Sequence, residues 1–208
     1  MKTCYIFAAA EGEPKVFAPK SDDLIIAADG GYLKLEKYDV KPHLVLGDFD
    51  SLNEIPKQYE IIKHPVKKDD TDTLLAVKTG FSRGYKRFVI YGGTGGRLDH
   101  TLANLQTLSF IASNGGIGFL CGNDFTATAI SKGEIEFESI AKGNISVFSA
   151  VENSTVSLSG LLYPLEKATV SYNFPIGVSN EFIGENAKIT ILEGTVIIIW
   201  SDTSVFPK

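Results

Sequence analysis

The sequence predicts an α/β fold in two parts. An N-terminal, mostly parallel sheet flanked by helices is expected over residues 1–122, followed by a C-terminal all-β domain of sandwich or barrel-like type over 123–208. Three observations lead there. Thr3 to Ala10 and Leu24 to Ala28 are apolar without alternation, as strands buried on both faces should be. Segments with helical spacing lie between runs of this kind, and alternation of strand with helix implies a parallel sheet. From Gly122 onward the helical period is lost, and short apolar runs are separated by Gly, Asn, Pro and Glu-Gly turns.

Taken in order, the Leu24 strand runs into Asp29-Gly30-Gly31, a glycine-rich turn, and Tyr32 to Lys37 reads as a short helix. Leu44 to Leu46 is a short buried strand and Tyr59 to Lys63 another. Thr71 to Gly84 is a helix that sets Leu74, Val77 and Phe81 on one face. Arg87 to Tyr91 is a strand, Gly92 to Arg97 a loop, and Leu98 to Asn114 a helix with Leu102, Leu105 and Leu108 at spacings of three. Ile117 to Cys121 closes the alternating pattern. The second part should hold strands at Phe125 to Ile130, Ile135 to Ile140, Ile145 to Phe148, Val156 to Leu158, Ala168 to Tyr172, Ala187 to Leu192 and Thr195 to Trp200. Glu134-Ile-Glu-Phe-Glu138 alternates as a strand with one wet face does.

Composition narrows the function. At 208 residues, 44% of them hydrophobic, the chain is long enough for one large or two small cores. A net charge of −5 and no basic block exclude a general nucleic-acid binder. Two cysteines, Cys4 and Cys121, are too few for a disulfide framework or a structural zinc site, and they suit a reducing compartment. The N-terminus lacks the layout of a signal peptide, and no apolar run approaches the roughly twenty residues of a membrane span. A cytoplasmic location without membrane contact is expected.

The chemistry concentrates in a few loops. His43-Leu-Val-Leu-Gly-Asp-Phe-Asp-Ser51 is an apolar strand that ends in two carboxylates, and it delivers Asp48 and Asp50 to the carboxyl edge of a sheet. Like charges so close repel unless a cation lies among them, and Mg²⁺ favours one or two carboxylates together with substrate phosphates. An isolated Asp-x-Asp also suits a solvated turn or a helix N-cap. The second acidic cluster, Lys68-Asp69-Asp-Thr-Asp72-Thr73, stands at a helix mouth and favours the metal. Gly92-Gly-Thr-Gly-Gly-Arg-Leu-Asp-His100 has bare amides that can surround phosphate oxygens ahead of a helix, and Arg97 can clamp them. It is not a Walker A loop, since no Gly-Lys-Ser/Thr follows. Asp99 can equally cap the helix, and His100 reads as a hydrogen-bonding group rather than a metal ligand.

Taken together, Ala28-Asp-Gly-Gly31, Gly47-Asp-Phe-Asp-Ser51, Asp69-Asp-Thr-Asp-Thr73 and Gly95-Gly-Arg-Leu-Asp-His-Thr-Leu-Ala-Asn104 resemble, in order and spacing, the signature of the thiamine pyrophosphokinases. Ser179-Asn-Glu-Phe182 is similar to that family's Ser-Asn segment with an aromatic two positions later. The resemblance implies transfer of pyrophosphate from ATP to the hydroxyl of thiamine, with Mg²⁺, in a homodimer with shared active sites. It implies Asp48, Asp50 and Asp72 for Mg²⁺ with Asp69 nearby. The nucleotide would lie on Gly30, Gly31, Gly95, Gly96 and Arg97 with Asp29 at its edge, and thiamine on Asp99, Ser179, Asn180 and Phe182. Some members have Trp where this chain has Phe182, which weakens the cation-π attraction. Without the resemblance, Phe182 reads as a core residue and Ser179-Asn180 as a turn. Two rivals are a haloacid dehalogenase-like phosphatase with Asp48 as nucleophile, and a nucleotide or thiamine sensor without turnover.

Overall fold

The computed structural model describes residues 1–10, 14–47, 49, 58–63, 70–201 and 206–207. The chain divides into two units, 1–107 with 118–123, and 108–117 with 124–208.

In the first unit, β1 (Thr3–Phe7), β2 (Leu24–Ala28), α1 (Gly31–Lys37), β3 (Leu44–Gly47), β4 (Glu60–Lys63), α2 (Asp72–Ser82) and β5 (Arg87–Tyr91) follow in order. The first turns of α3 (Leu98–Ser113) and most of β6 (Ile117–Cys121) complete it. The strand order is β6-β5-β1-β2-β3-β4, with β1 parallel to both β2 and β5, and β2, β3 and β4 parallel in turn. Every residue of β1, β2 and β3 is buried, which is why these segments are apolar throughout. Phe17 packs edge-on against Tyr5 and Phe7, 5.0 and 5.3 Å between ring centres.

Three expectations need correction here. β1 stops at Phe7, not Ala10: Ala8 N–H still donates to Tyr91 O at 2.8 Å, and the two alanines beyond leave the sheet. The buried face of α2 is Thr73, Ala76, Val77 and Gly80 rather than Leu74, Val77 and Phe81. Gly80 belongs to it because a methyl there would come 2.6 Å from the Phe88 ring and 3.1 Å from Cys4 Sγ. The buried residues of α3 are Asn104, Thr107, Leu108 and Ile111, a helical stripe with two polar members, and Leu102 is 56% exposed.

The second unit is antiparallel throughout: β7 (Thr126–Phe137), β8 (Asn144–Ser149), β9 (Asn153–Ser159), β10 (Leu165–Ser171), β11 (Asn180–Glu181) and β12 (Ala187–Trp200). Four of the expected short strands are halves of two long ones. β12 pairs with β7 on both sides of a register break between Ile191 and Thr195. On its other edge, Lys188 to Glu193 pair with β9 and Val196 to Trp200 with β8. The strand changes partners at a bulge holding Gly194 (φ +84°), facing Lys132 (φ +49°) and one residue from Gly133 (φ +137°), which pairs with Ile191. Ile135 and Phe137 point inward, while Glu134 and Glu136 meet Lys188 Nζ at 2.8 and 3.0 Å on the wet face. No helix among the described residues is long and apolar enough to cross a membrane.

Candidate active site

The direction of strand addition reverses at β1, which has β2 on one side and β5 on the other. Chains leaving the carboxyl ends of such a pair diverge and open a crevice, the usual ligand position in open parallel sheets. A cleft of about 390 Å³ lies there. Ala8, Ala9 and Ala10 line it from the end of β1, Gly92, Gly95, Gly96 and Arg97 from the end of β5, Thr73 from α2, and His100 and Asn104 from α3.

The β5 loop is shaped by glycines whose backbone excludes other residues. Gly92 (φ +69°) lies so close to the end of β1 that a methyl would come 2.1 Å from Ala8 O. Gly95 and Gly96 take φ of +85° and +62°, and among the described residues nothing lies within 4 Å of the point where a Gly96 methyl would be. Asn104, buried on α3, donates from Nδ2 to Gly93 O at 2.7 Å and ties the loop to the helix that follows it.

Charge is placed locally. Arg97 grips Asp99 with two bonds, Nε to Oδ1 at 3.2 Å and Nη2 to Oδ2 at 2.6 Å, with both side chains well exposed. The hydrogen bond from Arg97 holds the Asp99 carboxyl below its ordinary range and raises the guanidinium in turn. At the mouth of α2, Thr71 Oγ1 caps the helix by accepting from Leu74 N–H at 3.2 Å. Asp70 is taken by Lys78 at 2.6 Å, and Asp72 occupies the first helical turn, beside the cleft-lining Thr73. His43 Nδ1 accepts from Ile25 N–H at 3.0 Å, so this histidine serves the main chain.

The turn after β2 is built for close approach. Asp29 has φ +49° and its N–H donates to Leu46 O at 2.7 Å, while a methyl on Gly47 would sit 3.1 Å from Asp29 Cα. The ends of β2 and β3 are thereby held together. Gly30 and Gly31 are buried and stand apart from the cleft lining; a methyl at Gly31 would come 1.9 Å from Phe7 O. Phe49 is buried with φ +64°, an unusual backbone state for a bulky residue, and such strain gathers at functional loops. Asp48, Asp50 and Asp69 lie outside the described residues.

In the second unit, Ser179 is exposed with φ +60°. Asn180 is buried and its side chain is heavily engaged: Oδ1 accepts from Tyr163 N–H and Glu181 N–H, both at 2.9 Å, and Nδ2 donates to Tyr163 O at 2.7 Å. Among the described residues no partner meets the second N–H of that amide. Phe182 is 3% exposed, with its ring 5.3 Å from that of Phe137, which in turn meets Trp200 edge-on at 5.2 Å. Within this unit its ring is a core side chain, the reading that the segment invites when taken alone.

Residues 18–116 match the model of the thiamin pyrophosphokinase catalytic domain, and residues 132–196 that of the thiamin pyrophosphokinase vitamin B1 binding domain. A thiamine pyrophosphokinase of Bacillus subtilis is 30% identical across 97% of this chain and 99% of its own. The chain belongs to the thiamine pyrophosphokinase family. Thiamin pyrophosphokinase 1 of Caenorhabditis elegans is 29% identical over 82% of this chain and 78% of its own. The crystal structure of thiamine pyrophosphokinase from Bacillus subtilis shares the fold, with a TM-score of 0.84 and 26% identity over 96% of this chain and 99% of that one.

Against the thiamine pyrophosphokinase signature, the structure brings Gly95, Gly96 and Arg97 to one cleft and pairs Arg97 with Asp99. Sequence reading missed Ala8 to Ala10, absorbed into a strand, and Thr73 and Asn104, which stood inside quoted motifs without a role. A buried Asn in the apolar stripe of α3 was the available signal. Among the described residues no three metal-capable side chains cluster. The acidic loops of the signature offer carboxylates and neither thiolate nor imidazole, a donor set that fits a hard cation.

Proposed function

We infer that this chain transfers the pyrophosphoryl group of ATP to the hydroxyl of thiamine, giving thiamine diphosphate and AMP, with Mg²⁺, as a cytoplasmic homodimer. The observation that carries this reading is the match of its two halves to the catalytic and the vitamin B1 binding models of one enzyme, across a first unit with a cleft at its β1/β5 edge. The thiamine oxygen forms a bond to the β-phosphorus as the bond from that phosphorus to the AMP oxygen breaks, and the hydroxyl proton is released. Such a displacement depends on positioning and charge neutralisation.

The bare amides of Gly95 and Gly96, with Arg97, receive phosphate oxygens, and Asp29, on the turn that the buried Gly30 and Gly31 form beyond the cleft lining, borders the nucleotide. Asp48, Asp50 and Asp72, with Asp69 nearby, would hold Mg²⁺. When bound, the ion neutralises charge on the transferred phosphates. Asp99 accepts a hydrogen bond from thiamine and orients its hydroxyl. A carboxyl held below its ordinary range is a weak proton acceptor, so orientation suits it better than general base catalysis. Ser179 and the remaining Asn180 N–H supply polar contacts, and Phe182 braces the segment that carries them.

The test is the purified protein with ATP, Mg²⁺ and thiamine, products separated for AMP and thiamine diphosphate. AMP should appear only with thiamine present. A trapped phosphoryl group on Asp48 would instead establish the phosphatase, and binding without turnover the sensor; the family match favours neither.

A further inference from the structure

Two glycines fix the surroundings of one lysine. Gly31 opens α1 pressed against Phe7 O, and Gly92 presses the β5 loop against Ala8 O, so α1 and that loop are both locked onto the end of β1. Lys34 stands three residues after Gly31, on the same side of α1. A methyl on Gly92 would meet three atoms: Ala8 O at 2.1 Å, Lys34 Nζ at 2.7 Å and Ala10 O at 2.9 Å. The ammonium group therefore lies beside Ala8, Ala10 and Gly92, all three of which line the cleft.

We propose that Lys34 is a positioning residue for the polyphosphate, a positive charge set behind the Gly92 end of the cleft wall that nothing in the signature motifs assigns. This rests on the proposed ATP chemistry and deepens it. A polyphosphate needs cationic partners, and the Arg97 fork is shared with Asp99. Lys34 Nζ lies beside Gly92, at the start of the loop whose Gly95 and Gly96 amides line the cleft. A lysine is suited to this as a compact charge that does not demand the planar geometry of a guanidinium.

The alternative role is a strut, an ammonium that only satisfies main-chain carbonyls. Lys34→Met removes charge and donors and keeps the stem; Lys34→Gln removes charge and keeps donors. Binding of inorganic tripolyphosphate, ATP and adenosine to the intact protein is measured by calorimetry, without thiamine. Both variants should bind tripolyphosphate and ATP about tenfold more weakly, a change typical of one lost charge-assisted bond. Adenosine binding should stay within twofold, and so should KM for thiamine. Lys34→Arg should recover most of the lost affinity. Tripolyphosphate binding at the wild-type level in folded Lys34→Gln, or equal losses for adenosine and tripolyphosphate, would overturn the proposal. Should Lys34→Met not fold, Lys34→Gln decides alone. A wild-type protein that binds tripolyphosphate but makes no thiamine diphosphate would sink the proposed reaction and leave the role of Lys34 standing.

Discussion

At the residue scale, the proposed reaction depends on charge. Asp48→Asn and Asp50→Asn should each lower transfer at least about a hundredfold, because loss of metal-mediated neutralisation is worth several kcal/mol in such displacements. Circular dichroism and melting should stay at wild-type values, and near-normal turnover at saturating Mg²⁺ would refute the assignment. The Arg97–Asp99 pair gives a prediction in pH. The folded pKa of Asp99 is depressed, so its contribution is present above the ordinary carboxylate value and is lost only as pH falls through the lower folded value. Asp99 should therefore add no inflection to kcat/KM between about pH 5 and 9. Carboxyl NMR should show Asp99 titrating higher in Arg97→Leu, and an unmoved value would mean that the pair does not persist in solution. Arg97→Lys keeps the charge without the fork and should raise KM for ATP more than for thiamine. Of the residues that line the cleft, Gly95, Gly96 and Arg97 were legible in the sequence as motifs. Ala8 to Ala10 and Asn104 were not, because their part is played by main-chain position and by one buried amide.

At the element scale, legibility follows burial. β2, β5 and β6 span the ranges expected of them, since strands covered on both faces have no reason for polar interruptions inside their apolar runs. β7 and β12 were split in two because Gly133 and Gly194 look like turns, whereas each marks a bend inside a continuing strand. The faces of α2 and α3 were misassigned because Gly80, Asn104 and Thr107 are buried there for fit and hydrogen bonding, which a count of apolar positions overlooks. The same close approaches predict an order of sensitivity. Gly31→Ala sets a methyl against the Phe7 carbonyl and should destabilise by on the order of 3 kcal/mol. Gly96→Ala meets only its left-handed backbone and should cost about 1 kcal/mol. Urea denaturation of the two variants checks this, and equal losses would contradict the packing described for α1.

At the scale of the whole molecule, the two units divide the work unequally. In the proposed reaction the first supplies the cleft, the glycine loop and the acidic loops, and the second supplies Ser179 and Asn180 together with the apolar side chains exposed beside them, Val178 and Ile183. A flat cationic ring needs an apolar or aromatic wall besides polar groups, and the acidic loops offer only the latter. The proposed homodimer with shared sites, each combining the first unit of one chain with the second unit of its partner, would make both units indispensable. It also predicts complementation. Asp48→Asn disables the first unit. Ser179→Arg sets a cation beside the expected position of a cationic substrate at an exposed residue, so the fold should survive. Neither protein alone should turn over. After subunit exchange, a heterodimer has one site with both lesions and one with neither, so an equal mixture should regain about a quarter of wild-type activity if pairing in the twofold dimer is random. Native mass spectrometry reports the exchange independently of activity. Heterodimers demonstrated without recovered turnover would place each site within a single chain, and a protein that stays monomeric at assay concentration would refute the dimer itself.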